Sequence, residues 1–285
     1  MENEQPFTGD RKQKLHPSPD PHSLLVEVSE IARRAGKKIL EIYRTNFDVM
    51  TKTDKSPLTE ADLASQRLIT KELSKVTPGI PILGEESAEV PYAIRRNWQH
   101  FWLVDPLDGT KEFVKRNGEF TVNIALIDRG KPVLGVVHAP DLDLTFEAAL
   151  GKGASCRRGT CSSESISTKA PEPGSITVMI SRSHTDEATN RFLDSLKRNR
   201  DVVLVAKGSA LKTCQVANGS AHLYPRTGPT MEWDTAAAQA IVEEAGGLIV
   251  SLENGNRLLY NKEDLLNPEF LVAYGLDAPG LPVKD

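Results

Sequence analysis

Apolar positions along this chain alternate between two periods, and the changes mark out its elements. From Ser23 to Arg44, Leu24, Val28, Ile31, Ala35, Ile39 and Ile42 recur at helical steps, with Glu27, Arg33, Arg34, Lys37 and Lys38 between them. That spacing predicts an amphipathic helix. A second helix is expected from Thr59, a good capping residue, to about Lys75, with Leu63, Leu68, Ile69 and Leu73 inward. Short apolar runs at Val49–Thr53, Pro81–Gly84 and Phe101–Val104 read as strands. Glu119–Asp128, Pro132–His138 and Leu144–Ala149 follow, with Asp128-Arg129-Gly130-Lys131 as a turn, and predict an antiparallel meander.

Gly151–Pro173 is rich in Gly, Ser, Thr and Cys and shows no period. It reads as the boundary between subdomains of about 23–155 and 156–285 within one catalytic domain spanning 23–285. Beyond it, strands at Ile176–Ile180, Val202–Ala206 and Ala221–Tyr224 alternate with helices at Asp186–Arg198 and Ala210–Ala217. An alanine-rich helix opens at Asp234 and ends at Gly246, before final strands at Leu248–Leu252 and Phe270–Tyr274. Strands alternating with helices point to an α/β layer. Met1–His22, with Pro6, Pro17, Pro19 and Pro21 among polar residues, reads as a mobile tail without the apolar core of a secretory signal.

Composition narrows the class. With 285 residues, 39% apolar and 26% charged, the chain is globular, and a formal net charge of −4 gives no reason to expect a nucleic-acid partner. Three cysteines, Cys156, Cys161 and Cys214, fit neither a disulfide framework nor a zinc site and are expected to be reduced thiols. No apolar run reaches the ~20 residues that span a bilayer, nor does a basic amphipathic helix require a membrane surface. A cytoplasmic place is expected, free or peripheral at the inner membrane.

Chemistry concentrates where apolar runs end. Asp105-Pro106-Leu107-Asp108-Gly109-Thr110 follows Phe101–Val104 and puts two carboxylates near a glycine and a possible helix start. Carboxylates attract hard divalent cations, and helix-start amides attract phosphate. The same residues are also ordinary turn chemistry. Gly84-Glu85-Glu86-Ser87 repeats the order of strand, glycine and acid. Glu60 and Asp62 sit in the first turn of the second helix, where they either complement its dipole or point into a site. Asp234 is either a capping residue or, carried by the closely packing run Ala236-Ala237-Ala238, a group aimed at the molecular centre. Arg182, Ser209, Lys212 and Arg226 follow successive strands, where ligands of α/β folds collect.

Together, Gly84-Glu85-Glu86-Ser87, Asp105-Pro-Leu-Asp108-Gly-Thr110 and Trp233-Asp234-Thr-Ala-Ala resemble the three metal-site motifs of the inositol monophosphatase superfamily, in order and separation. Lys111-Glu112-Phe113, Ser181-Arg-Ser-His184, Gly208-Ser209-Ala-Leu-Lys212 and Tyr224-Pro-Arg226 are similar to its 3′(2′),5′-bisphosphate nucleotidase branch. The resemblance implies a layered αβαβα sandwich, two or three Mg²⁺ ions, and inhibition by Li⁺. It implies hydrolysis of adenosine 3′,5′-bisphosphate to AMP and phosphate, extending to 3′-phosphoadenylyl sulfate, in sulfur metabolism. Glu85, Asp105, Asp108 and Asp234 would supply metal carboxylates and Leu107 its carbonyl, the side-chain type of Leu107 then mattering little. Asp62 and Thr110, with Glu85, would activate water. Gly109 and Thr110 would hold the phosphate, and Ser209, Lys212, Arg226 and His184 would line the nucleotide pocket. Such an enzyme needs no obligatory protein partner, as monomer or homodimer. The alternative reading is an inositol monophosphatase or related sugar-phosphate phosphatase. No Cys-x₅-Arg loop, Ser/His/Asp triad or G-x₄-GK[ST] loop is visible.

Overall fold

A computed structural model describes residues 19–51, 57–87, 90–182 and 186–282. The chain order is α1 (Pro21–Tyr43), β1 (Val49–Thr51), β2 (Pro57–Thr59), α2 (Glu60–Val76), β3 (Ile82–Gly84), α3 (Tyr92–Arg95), β4 (His100–Asp108) and α4 (Thr110–Val114). There follow β5 (Thr121–Asp128), β6 (Lys131–Ala139), β7 (Leu144–Ala149), β8 (Gly153–Arg158), β9 (Glu164–Ile166), β10 (Ser175–Ser181), α5 (Glu187–Lys197) and β11 (Asp201–Lys207). The chain closes with α6 (Leu211–Ala217), β12 (Leu223–Arg226), α7 (Glu232–Glu244), β13 (Leu248–Ser251) and β14 (Phe270–Ala273).

Two sheets organise these elements. One is seven-stranded in the order β3-β4-β5-β6-β7-β8-β9, and antiparallel except for the β3–β4 pair. The other is five-stranded in the order β11-β10-β12-β14-β13, with β10 parallel to β11 and β12. Strand alternation divides the core into layers. In β4, Trp102 and Val104 face α1 and α2 with Val28, Ile31 and Ile69, while Phe101 and Leu103 face the opposite cluster with α6 and α7. That second cluster also takes Met179, Tyr224 and Phe270 from the five-stranded sheet. The sheet's outer face, with Ile176, Val178 and Leu271, packs on Leu193 and Leu196 of α5. The result is the expected αβαβα order.

Four details depart from expectation. Gly151–Pro173 is not structureless, for β8 and β9 extend the first sheet as far as Ile166. The supposed tail lies outside the described residues up to residue 18, and Pro21 and His22 already belong to α1, capped by Asp20. The strand at Phe101 runs on through Asp108, and a register shift between Asp105 and Asp108 makes a bulge at Pro106. A bulge is where proline is tolerated in a sheet, and it redirects side chains. Asp234 occupies the third position of α7, not its cap, and its Oδ2 accepts the Met231 amide at 2.9 Å.

Small residues set how deeply α7 sinks between the sheets. A Cβ on Gly135 of β6 would lie 2.2 Å from the carbonyl oxygen of Ala237 and 2.8 Å from the Ala240 Cβ. The alanine run therefore has a packing reason, and it carries Asp234 inward.

Candidate active site

The bulge in β4 builds the acidic side of a cavity of about 440 Å³. Oxygens of Asp105, Asp108 and Asp234 lie within 4.8 Å of one another, and Glu85 and Leu107 line the same cavity. Each aspartate is already oriented. Asp105 Oδ1 accepts the Leu107 amide at 3.0 Å, and Asp108 Oδ2 accepts the Ala210 amide at 2.7 Å and Asn123 Nδ2 at 3.3 Å. Ser65 of α2 fixes the bulge from behind, its Oγ donating to the Pro106 carbonyl at 2.7 Å.

Crowding these groups costs charge. Burial, then the charges of Glu85, Asp108 and Asp234, push the Asp105 carboxyl well above its usual range. Asp234 is pushed up to about 8 by burial and by Asp108. Asp108 is raised by burial, against the pull of Lys212. Carboxylates held this close favour protons or a cation among them. All-oxygen donors, here carboxylates plus the Leu107 carbonyl, suit a hard divalent ion such as Mg²⁺. The residues present therefore fit such a metal.

Asp62 and Thr110 meet behind this cluster. Asp62 is 1% exposed, and Thr110 Oγ1 reaches its Oδ1 at 3.4 Å and the Leu107 carbonyl at 3.4 Å. The other Asp62 oxygen accepts the Thr59 amide at 2.8 Å and the Thr59 hydroxyl at 2.6 Å. Asp62 thus caps α2 and also serves Thr110. Burial raises its pKa against the lowering effect of the Thr59 hydrogen bonds. Gly109 adopts φ 90°, a left-handed conformation that glycine takes without strain, and turns the chain from β4 into α4.

The opposite wall is basic. Lys212 is 6% exposed, its Nζ donating to the Ser209 carbonyl at 2.6 Å and lying 5.3 Å from the centre of the Tyr224 ring. Burial lowers its pKa to about 8, with Asp108 acting the other way. Arg226 is held by the Gly228 and Pro229 carbonyls at 3.1 and 3.0 Å. Ser209 has φ 48°, and its buried Oγ has no hydrogen-bond partner among the described residues. The cavity therefore joins Glu85, Asp105, Leu107, Asp108, Gly109, Thr110, Ser209, Lys212, Arg226 and Asp234.

Three expectations fare otherwise. Arg182 does not line the cavity but pairs with Glu119 at 3.0 Å. His184 lies outside the described residues. The Leu107 side chain is fully buried in the core beside α1 and α2, so its type does matter, although the residue also lines the cavity and its carbonyl accepts from Thr110 Oγ1. Sequence reasoning also missed Asn123, although an amide inside the apolar run of β5 was a signal. It missed Ser65 as well, which carries no signal of its own. All three cysteines are free thiols, and among the described residues no helix is long and apolar enough to cross a membrane.

Comparison with known proteins agrees with this geometry. The 3′(2′),5′-bisphosphate nucleotidase CysQ of Escherichia coli K12 is 44% identical over 253 residues, covering 88% of this chain and 99% of that protein. CysQ of Haemophilus influenzae is 34% identical, covering 87% and 92%. The crystal structure of CysQ from Bacteroides thetaiotaomicron superposes with a TM-score of 0.78 at 40% identity, over 87% of this chain and 96% of that one. A Thermotoga maritima IMPase superposes with a TM-score of 0.69 at 27% identity, over 88% and 91%. The model of the inositol monophosphatase family matches residues 20–276, and the chain belongs to that family of phosphatases.

Proposed function

We propose that this phosphatase is a Mg²⁺-dependent 3′(2′),5′-bisphosphate nucleotidase. It removes the 3′-phosphate of adenosine 3′,5′-bisphosphate to give AMP and phosphate, and it acts on 3′-phosphoadenylyl sulfate in the same way. One observation carries the reading: a single cavity has an acidic wall of Glu85, Asp105, Asp108 and Asp234 and a basic wall of Lys212 and Arg226. The acidic wall suits the scissile phosphate with its metal. The basic wall suits a second phosphate, which an inositol monophosphate lacks. Relatives bearing the nucleotidase name support it.

Glu85, Asp105, Asp108, Asp234 and the Leu107 carbonyl would hold the metal. When bound, Mg²⁺ polarises the phosphoryl group and lowers the pKa of water. The chain's own residues supply orientation. Asp62 accepts the Thr110 hydroxyl proton, which leaves the Thr110 oxygen to accept from a water aligned on phosphorus. The Gly109 and Thr110 amides, at the turn into α4, face the phosphate oxygens. Ser209, Lys212 and Arg226 bind the part of the substrate that does not react, which fixes the ester against the acidic wall. Water attacks phosphorus, the P–O3′ bond breaks, and the ribose oxygen leaves with a proton. A wall of this kind contributes to specificity through the second anion.

The regiochemistry of the product tests the reading. Incubation with adenosine 3′,5′-bisphosphate and Mg²⁺ should give 5′-AMP, identified by chromatography and ³¹P NMR. Formation of adenosine 3′-phosphate would contradict it.

A further inference from the structure

Ser209 is gripped from both sides by carboxylates of the other sheet. The amide before its own, Gly208 N, donates to Glu119 Oε2 at 2.9 Å. The amide after it, Ala210 N, donates to Asp108 Oδ2 at 2.7 Å. Between them Ser209 takes φ 48°, a left-handed conformation that strains a non-glycine residue and persists only where its surroundings impose it. Its Oγ is left buried in the cavity without a partner among the described residues, and its carbonyl holds Lys212 Nζ at 2.6 Å.

Asp108 belongs to the acidic wall, but Glu119 has no place there. It lies just before β5, with a side chain only 8% exposed, and both of its oxygens are saturated by the end of the parallel pair β10–β11. Arg182 donates from Nε to Oε2 at 3.1 Å and from Nη2 to Oε1 at 3.0 Å, and Lys207 Nζ donates to Oε1 at 3.0 Å. These charges hold the carboxyl below its ordinary pKa despite its burial. Packing closes the same joint. A Cβ on Gly208 would lie 2.7 Å from Glu112 Cγ and 2.7 Å from the Glu119 carbonyl, and one on Gly109 would lie 3.3 Å from Ser209 Cβ.

We propose that Glu119 is a positioning residue for the substrate's non-reacting phosphate: it clips the β10–β11 end to the catalytic sheet and so sets Ser209 and Lys212 against the Gly109 turn. It touches no substrate. Two neutralised cations and one backbone amide converge on one carboxylate, which is more than joining the sheets requires. The amide they lead to is the one preceding the residue with the strained backbone. The kinetic consequence rests on the nucleotidase reading. The structural consequence does not.

The test compares Glu119→Ala, Glu119→Gln and Gly208→Ala in the full chain. Glu119→Ala should speed amide hydrogen exchange across Gly208–Lys212 at least about tenfold, with β4 and β6 unchanged, because a buried charge-assisted acceptor is lost. With adenosine 3′,5′-bisphosphate its KM should rise about tenfold or more while kcat stays within about threefold, as expected for loss of binding away from the reacting bond. KM for inositol 1-phosphate should move by less than about threefold, since that ligand has no second phosphate. Glu119→Gln retains an acceptor for the Gly208 amide but sets an amide NH₂ against Lys207 Nζ and Arg182 Nη2, so its KM should fall between those of the wild type and Glu119→Ala. Gly208→Ala keeps the carboxylate group but forces Gly208 and Glu119 apart, its Cβ meeting the Glu119 carbonyl at 2.7 Å, and should reproduce the KM defect if Glu119→Ala fails to fold. Unchanged exchange at Gly208–Lys212, equal losses on both substrates, or an unaltered KM in both Glu119→Ala and Gly208→Ala would overturn the proposal. A wild-type protein inactive on the bisphosphate would instead sink the nucleotidase reading, and the exchange data would still decide the role of Glu119.

Discussion

Asp108 Oδ2 accepts the backbone amide of Ala210 at 2.7 Å, so one carboxylate of the acidic wall also holds the loop that carries the basic wall. The two walls are therefore not independent. A change in charge at Asp108 reaches Ser209 and Lys212 through one hydrogen bond, and Lys212 in turn opposes the rise that burial causes in the Asp108 pKa.

Asp105→Asn should make the metal-free protein more stable and the enzyme inactive. The carboxyl is 1% exposed, and burial with three neighbouring acids raises its pKa, so a neutral amide there removes the cost, about 1–3 kcal/mol, of charging or protonating it. Melting in EDTA should rise by several degrees, and the further rise that Mg²⁺ gives the wild type should shrink or vanish. A variant less stable than wild type in EDTA would show that the four charges do not repel as argued.

The pH dependence has a definite sign. Asp234 has a folded pKa of about 8, raised above the value it has when unfolded. Between those values the folded state holds a proton that the unfolded state has lost. Its contribution to stability is therefore full at acid pH and is lost as pH rises toward about 8. Metal-free protein should melt lower at pH 8 than at pH 6. Bound Mg²⁺ must displace that proton, so the Mg²⁺ concentration giving half-maximal stabilisation should fall over the same interval, with proton release seen by calorimetry in two buffers. No proton release would contradict the shared buried charge.

Arg226→Ala should weaken bisphosphate hydrolysis about 10- to 100-fold in kcat/KM, the range for a lost charge-assisted hydrogen bond. Its effect on inositol 1-phosphate should be much smaller. Equal losses on both substrates would remove Arg226 from the second-phosphate site.

If Thr110 orients water, as proposed, Thr110→Ala should lower kcat by about 10²-fold or more with little change in the Mg²⁺-dependent melting shift, since Thr110 has no carboxylate to offer a metal. A melting response to Mg²⁺ lost together with kcat would instead make Thr110 part of the metal site.

Gly135→Ala should cost several kcal/mol by urea unfolding, for its Cβ would meet the Ala237 carbonyl oxygen at 2.2 Å. Displacing α7 would also move Asp234, so the Mg²⁺ requirement should rise in the same variant. A change within about 0.5 kcal/mol would show that β6 and α7 are not in strict contact.

Much of this was legible in the chain. Helix periodicity located α1 and α2, and Thr59 before an apolar run announced the cap that also bonds Asp62. The acidic motifs pointed to the acidic wall only when taken together and with the family resemblance, because each alone is also ordinary turn or capping chemistry. Legibility failed where stability comes from neighbours. Strands β8 and β9 are only partly buried and built from small, polar and charged residues, so they lack the apolar alternation that betrays a strand. The bulge at Pro106 depends on register against β5, which no local pattern encodes. Glu119 reads as an ordinary surface acid until the fold brings Arg182, Lys207 and Gly208 to it from 63 or more residues away. Arg182 was drawn toward the pocket by its place at a strand end, and that same place gives it to Glu119 instead.

Phosphate release in saturating Mg²⁺, comparing adenosine 3′,5′-bisphosphate with inositol 1-phosphate at equal concentration and with and without Li⁺, tests the central claim most directly. The two-walled cavity predicts a kcat/KM at least about 100-fold higher for the bisphosphate, the worth of one or two charge-assisted contacts to its second phosphate. It also predicts that release is suppressed by Li⁺ and absent in EDTA. Equal or higher efficiency on inositol 1-phosphate would contradict the assignment of Lys212 and Arg226 to a second phosphate.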